Sequence, residues 1–123
     1  MFWPNFNHGG SRLLWRAERA TSPSELNDLA RRAVSKKDYR LLVNVAGNEN
    51  TPPWAIDIIA EYVDKPWPKQ WLRDNSCEEV INGELMRVDA RTYFKLIRGI
   101  IAKHPNTAPG GPADRLRQRI LRN

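Results

Sequence analysis

One cysteine and two histidines in 123 residues leave little material for metal or redox chemistry. Cys77 alone rules out a disulfide within the chain and any site built from several cysteines, which fits a reducing compartment. No apolar run approaches the roughly 18 residues that a bilayer span needs. The first stretch, MFWPNFNHGG, does not have the charged-then-apolar order of a secretory signal. These gaps predict a cytoplasmic protein with no membrane partner. A Gly-rich phosphate loop, a His-Glu-x-x-His zinc motif and a Gly-x-Ser-x-Gly elbow are also missing, so neither a cofactor nor an enzymatic activity is expected.

What is present is an ordinary globular mixture, 41% hydrophobic and 28% charged, on a chain long enough for one domain with a real core. Nine prolines and seven glycines divide it into short elements. The net charge of +6 is unevenly spread. Residues 21–64 carry five basic and seven acidic groups, whereas residues 65–123 carry twelve basic and six acidic. An electropositive C-terminal half points to an anionic partner, either an acidic protein face or nucleic acid.

Helix-start signals recur along the chain. Ser22, Pro23 and Glu25 form a capping box with proline at the first helical position, followed by Leu26, Leu29, Ala30 and Ala33 on one face. Asp38 caps a second helix that carries Leu41, Leu42 and Val45 inward and stops at Gly47. Thr51-Pro52-Pro53 restarts the pattern, with Ile56, Ile59 and Ala60 repeating the earlier apolar face, and Trp54 is expected in the core. Starts at Thr21, Thr51, Ser76 and Thr107 are spaced as imperfect helical repeats would be. In each, the Ser or Thr side chain is expected to accept from the free amides of the helix it opens.

The spacing predicts an all-α fold of stacked short helices, a small α-solenoid-like domain over residues 11–109. An aromatic arm over 1–10 precedes it, with Phe2, Trp3 and Phe6 docking on the first helix and Gly9-Gly10 as a break. A basic helix or tail over 110–123 follows, with Leu116, Ile120 and Leu121 as its apolar side. Asn82-Gly83 is a type I′ hairpin signal between apolar flanks. The repeat alignment instead favours a helix stopped by Gly83, leaving a small β-hairpin there as the alternative.

The phrase YRLLVNVAGNENTPPWAIDIIA resembles the leucine-rich repeat variant family, in which pairs of short helices stack into a right-handed superhelix. Arg40, Leu41, Val45, Ala46, Asn48, Asn50, Thr51, Pro52, Pro53, Ile56, Ile59 and Ala60 carry the likeness. A weaker echo runs from Phe94 to Pro109 through Ile97, Ala102, His104, Asn106 and Thr107. Unit lengths are uneven and DKPWPKQW is inserted, so the resemblance is to a divergent or shortened member. It implies a binding or scaffolding surface without catalytic residues. The family's iron–sulfur association through clustered cysteines does not carry over to a chain with Cys77 alone.

Candidate binding residues fall in the second half. Arg87, Arg91, Lys95 and Arg98 are spaced by four, four and three, which on one helix capped by Asp89 gives a continuous basic stripe opposite Phe94, Ile97 and Ile101. Such a stripe can grip an acidic protein surface or track phosphates. It is also the ordinary solvated face of an amphipathic helix. Arg115 and Arg119 of the tail extend the nucleic-acid version. Trp67 and Trp71, four apart between prolines and lysines, read as a joint between crossing helices or as a partner's anchor. A small hydrolase built on His8 and His104 is the remote third reading, because nothing in the spacing brings them together. Cys77 reads as a structural thiol, and adjacent Glu78 and Glu79 as a poor catalytic pair.

Overall fold

The computed structural model describes residues 8–122, so the expected aromatics of the N-terminal arm, Phe2, Trp3 and Phe6, lie outside the described residues. Within that range the chain is mostly helical, with one small antiparallel hairpin. The order is α1 (His8–Arg19), α2 (Pro23–Lys36), α3 (Tyr39–Gly47), α4 (Pro53–Val63), α5 (Lys69–Asp74), β1 (Ser76–Ile81), β2 (Glu84–Asp89), α6 (Ala90–Ala102) and α7 (Pro112–Arg122). Among the described residues no helix is long and apolar enough to cross a membrane.

The local signals act where the chemistry is local. Ser22 Oγ accepts from the Glu25 N–H at 3.4 Å, Asp38 Oδ1 from Leu41 at 3.2 Å and Asp89 Oδ1 from Thr92 at 2.9 Å, so three helices begin at their expected caps. α2 ends with Lys37 in the left-handed region, φ 54°, closed by Lys37 N–H to Val34 O and Asp38 N–H to Ala33 O. Helix α1 includes Gly9 and Gly10, which are therefore not a break.

Thr51 and Thr107 do something other than expected. Thr51 is fully buried and its hydroxyl donates to Val45 O at 2.6 Å; Thr107 donates to His104 O at 3.1 Å. Both close the preceding helix, and α4 begins at proline with no side-chain cap. α7 starts only at Pro112, where Asp57 Oδ1 of α4 accepts from the Ala113 N–H at 3.1 Å. A methyl group on Gly111 would stand 2.7 Å from that carboxylate, so a side chain there would push Asp57 aside from the Ala113 amide.

The expected helix from Ser76 is instead the hairpin. Asn82 and Gly83 adopt φ 53° and 83°, the paired left-handed geometry of a type I′ turn, and Cys77 faces Val88 while Val80 faces Leu85 across the strands. A helix through Gly83 would have to abandon that turn, and β-branched Val80, Ile81 and Val88 pair well on a pleated surface. Ala90 N–H then bonds back to Asn75 O at 2.6 Å, tying the base of the hairpin shut.

One core joins these elements. α1 and α2 pack on α3, α2 on α4, α3 on α6, and α4 on both α6 and α7. Leu26, Leu41, Leu42, Val45, Ile56, Ile59, Ile97 and Ile101 are fully buried between them. Phe94 sits at the aromatic end of this core, edge-on to Tyr39 at 5.5 Å and Tyr62 at 5.6 Å. Trp54, expected in the core, is instead 55% exposed. α4 turns Ile56, Ile59, Ala60 and Val63 inward, and position 54 falls on the opposite side of that helix.

AGNENTPP at residues 46–53 and AKHPNTAP at 102–109 are alike for a spatial reason. Asn48 Nδ2 donates to Ala17 O and Ala20 O, both at 2.8 Å, at the end of α1. One phrase later, Asn106 Nδ2 donates to Glu49 O at 2.7 Å and Thr51 O at 3.2 Å. The His104 ring is 2.8 Å from Asn48 O through Nε2, and Nδ1 accepts from the Asn106 N–H at 3.0 Å. Since Nδ1 accepts, Nε2 carries the proton and donates to Asn48 O. His104 stands 56 residues after Asn48, and both place a side-chain donor on carbonyls of the preceding turn, a direct reason for polar residues at these matching places.

Candidate anion-binding interface

The four-residue basic stripe is divided by the hairpin. Arg87 belongs to β2 and its Nε donates to Ser76 Oγ at 2.9 Å, so it does not share a helix with the others. Arg98 is half-buried and donates from Nη2 to Val63 O at 2.9 Å, at the C-terminal end of α4, where unpaired carbonyls favour a cation. Arg91 and Lys95 alone remain exposed on α6. The opposite face behaves as expected, with Phe94, Ile97 and Ile101 buried.

Trp67 and Trp71 are half-buried and stacked on each other, centroids 4.1 Å apart and planes 13° from parallel. Trp67 Nε1 donates to Tyr62 O at 2.8 Å, and both rings lie against Phe94. Lys65 stands 5.7 Å from the Trp67 centroid and Lys37 5.9 Å from that of Trp71. With cations over both rings, the pair forms a braced joint between α5 and the core rather than an open stacking platform.

The cations gather elsewhere. Between α4 and α7 runs an open groove of about 700 Å³, floored by Ala60 and Pro112 and lined by Lys65, Arg115, Arg119 and Arg122 against Glu61 and Asp64. Two arginines are held in place: Arg119 pairs with Asp64, and Arg115 Nη1 donates to Gly110 O at 2.8 Å. Arg122 makes no ion pair or hydrogen bond among the described residues. Four cations against two carboxylates leave the groove positive, and fixing side chains beforehand lowers the cost of ordering them on binding.

Neighbouring polar groups are structural. Asp114, beneath the first turn of α7, accepts from the Gly110 N–H at 2.9 Å, from Arg117 at 2.8 Å and from Gln118 at 3.1 Å. The Gly110 amide above all, then Arg117, holds its carboxyl below the usual range. A smaller hollow of about 170 Å³ over α3 combines Arg40, Glu79 and Tyr93 with Leu14, Val43 and Leu96. Its charges balance, and burial, followed by Glu79, pushes the Tyr93 hydroxyl far up. Burial also raises the Cys77 thiol. His104 is buried with both ring nitrogens engaged, which leaves no free nitrogen for proton transfer; the side chain of His8 lies outside the described residues.

Sequence reasoning singled out Arg115 and Arg119 but missed Lys65, Asp64 and the groove that unites them. The available signal was the pair of starts at Thr51 and Thr107, 56 residues apart, which precede α4 and α7, two helices that pack on each other. No family model, curated protein or solved structure matches the chain.

Proposed function

We propose that this protein is a non-enzymatic binding module that holds an acidic protein surface in the α4–α7 groove. In this reading the helix pairs α1–α2, α3–α4 and α6–α7 are successive units of a small solenoid, akin to a divergent leucine-rich repeat variant protein, with α5 and the hairpin inserted between the second and third. The observation that carries it is the groove itself, an open channel lined by Arg115, Arg119 and Arg122 together with Lys65, whose ammonium also lies over Trp67. Arg91 and Lys95, exposed on α6, add an outer source of positive charge that steers an acidic partner toward this half of the molecule. Trp67 and Trp71 support the groove's neighbourhood by packing α5 on Phe94 and are not themselves the anchor.

The test uses a fluorescein-labelled deca-glutamate peptide. Arg115→Glu/Arg122→Glu leaves the Arg119–Asp64 pair in place and is expected to weaken binding about tenfold or more. Arg31→Glu/Arg32→Glu, an equal charge change on the exposed side of α2, is expected to weaken it far less. Equal losses in the two variants would reduce the effect to net charge and remove the groove from the account. Tighter binding of a labelled oligothymidylate than of the peptide would move the partner from protein to nucleic acid.

A further inference from the structure

The hairpin carries the complement of the groove. Residues 76–89 hold four acidic groups and one basic group, Arg87, which is drawn to Ser76. Glu78 and Glu84 are exposed and form no ion pair among the described residues. The inner end of the hairpin packs on the core through Cys77 and Val88, while the outer end leaves Ile81, Leu85 and Met86 exposed, Leu85 at 60%. Six-residue strands reach about 20 Å, so the outer end is a projecting arm, and the register sets Glu84 with Ile81 and Met86 on one face of it and Glu78 with Leu85 on the other. Large exposed side chains clustered on a projecting element mark a contact surface.

The receiving surface offers the matching chemistry. The last turn of α7 combines Arg119 and Arg122 with Ile120 and Leu121, the latter 73% exposed. We infer that the acidic partner of the groove is the β1–β2 hairpin of a second copy of this chain, its glutamates meeting Arg115 and Arg122 and its tip covering Leu121. This rests on the groove reading above. Hairpin and groove are different patches and one contact engages one of each, so a head-to-tail dimer keeps one free hairpin and one free groove. Association therefore continues beyond a dimer as concentration rises, and weakens with salt because both patches are charged.

Sedimentation velocity from micromolar to millimolar protein tests this with two variants. Glu78→Arg/Glu84→Arg has a spoiled hairpin and an intact groove; Arg115→Glu/Arg122→Glu has the reverse. Each alone is expected to stay monomeric, and their mixture to form a one-to-one dimer and nothing larger, while the wild type grows past the dimer. Circular dichroism checks that each variant is folded, and Glu84→Lys alone, changed only at the exposed turn, serves if the double hairpin variant is not. Undiminished association of the folded hairpin variant overturns the inference. So does a wild type that stays monomeric at millimolar concentration while still binding the deca-glutamate peptide, an outcome that leaves the groove reading intact. Failure of the peptide to bind brings down the groove reading itself.

Discussion

Asn48 shows how much a single side chain carries here. It is 6% exposed, donates to two carbonyls at the end of α1 and accepts from Asn50 N–H at 2.8 Å. Asn48→Ala leaves those carbonyls shut away from water without a donor, a change that costs about 2–3 kcal/mol in all. Urea unfolding checks it through a lower midpoint at unchanged slope. Asp89 is the residue-scale probe of pH. The Thr92 N–H and then the Thr92 hydroxyl hold its carboxyl below its ordinary value. A group depressed in the folded state contributes stability above its unfolded pKa, about 3.9. That contribution disappears as pH falls below this value through the folded one. Asp89→Asn is thus expected to be less stable than wild type at neutral pH and to show a flatter loss on acidification, measured as midpoint against pH. Cys77, its thiol raised by burial, is expected to react with iodoacetamide at neutral pH more slowly in the folded protein than after urea unfolding.

At the scale of elements, the caps were legible and the pairings were not. Ser22, Asp38 and Asp89 announce their helices because the bond each makes lies three residues away. Asp89 as a cap implies that Arg87, two residues before it, lies outside the helix and outside any stripe along it. The hairpin was written in Asn82-Gly83, yet an alignment of loosely spaced helix starts outweighed it. Two successive left-handed residues are a local steric requirement, and a spacing of 25 residues is not. Gly83, at φ 83°, makes the point testable. Gly83→Ala strains the turn and is expected to cost about 1 kcal/mol. In amide exchange the loss should appear across Ser76–Asp89 while the core helices keep their protection. Uniform loss across the chain would mean the hairpin is not a separable element.

For the whole molecule, the legible part was a helical chain with a positive second half. The rest depended on contacts 35 to 56 residues apart. Arg98 reaching Val63 O, Arg119 pairing with Asp64 and Asp57 capping α7 all join α4 to partners that no local pattern reveals. These contacts take Arg98 out of the candidate surface and bring Arg115, Arg119 and Arg122 together with Lys65 around one channel. The most direct measurement is of the arginine side-chain Nε–H resonances during titration with the deca-glutamate peptide. Arg115, Arg119 and Arg122 are expected to shift in a saturable and salt-sensitive manner, with Arg31 and Arg32 nearly still. Shifts spread evenly over all arginines, or centred on Arg91 with Arg115 and Arg122 unmoved, would contradict the account.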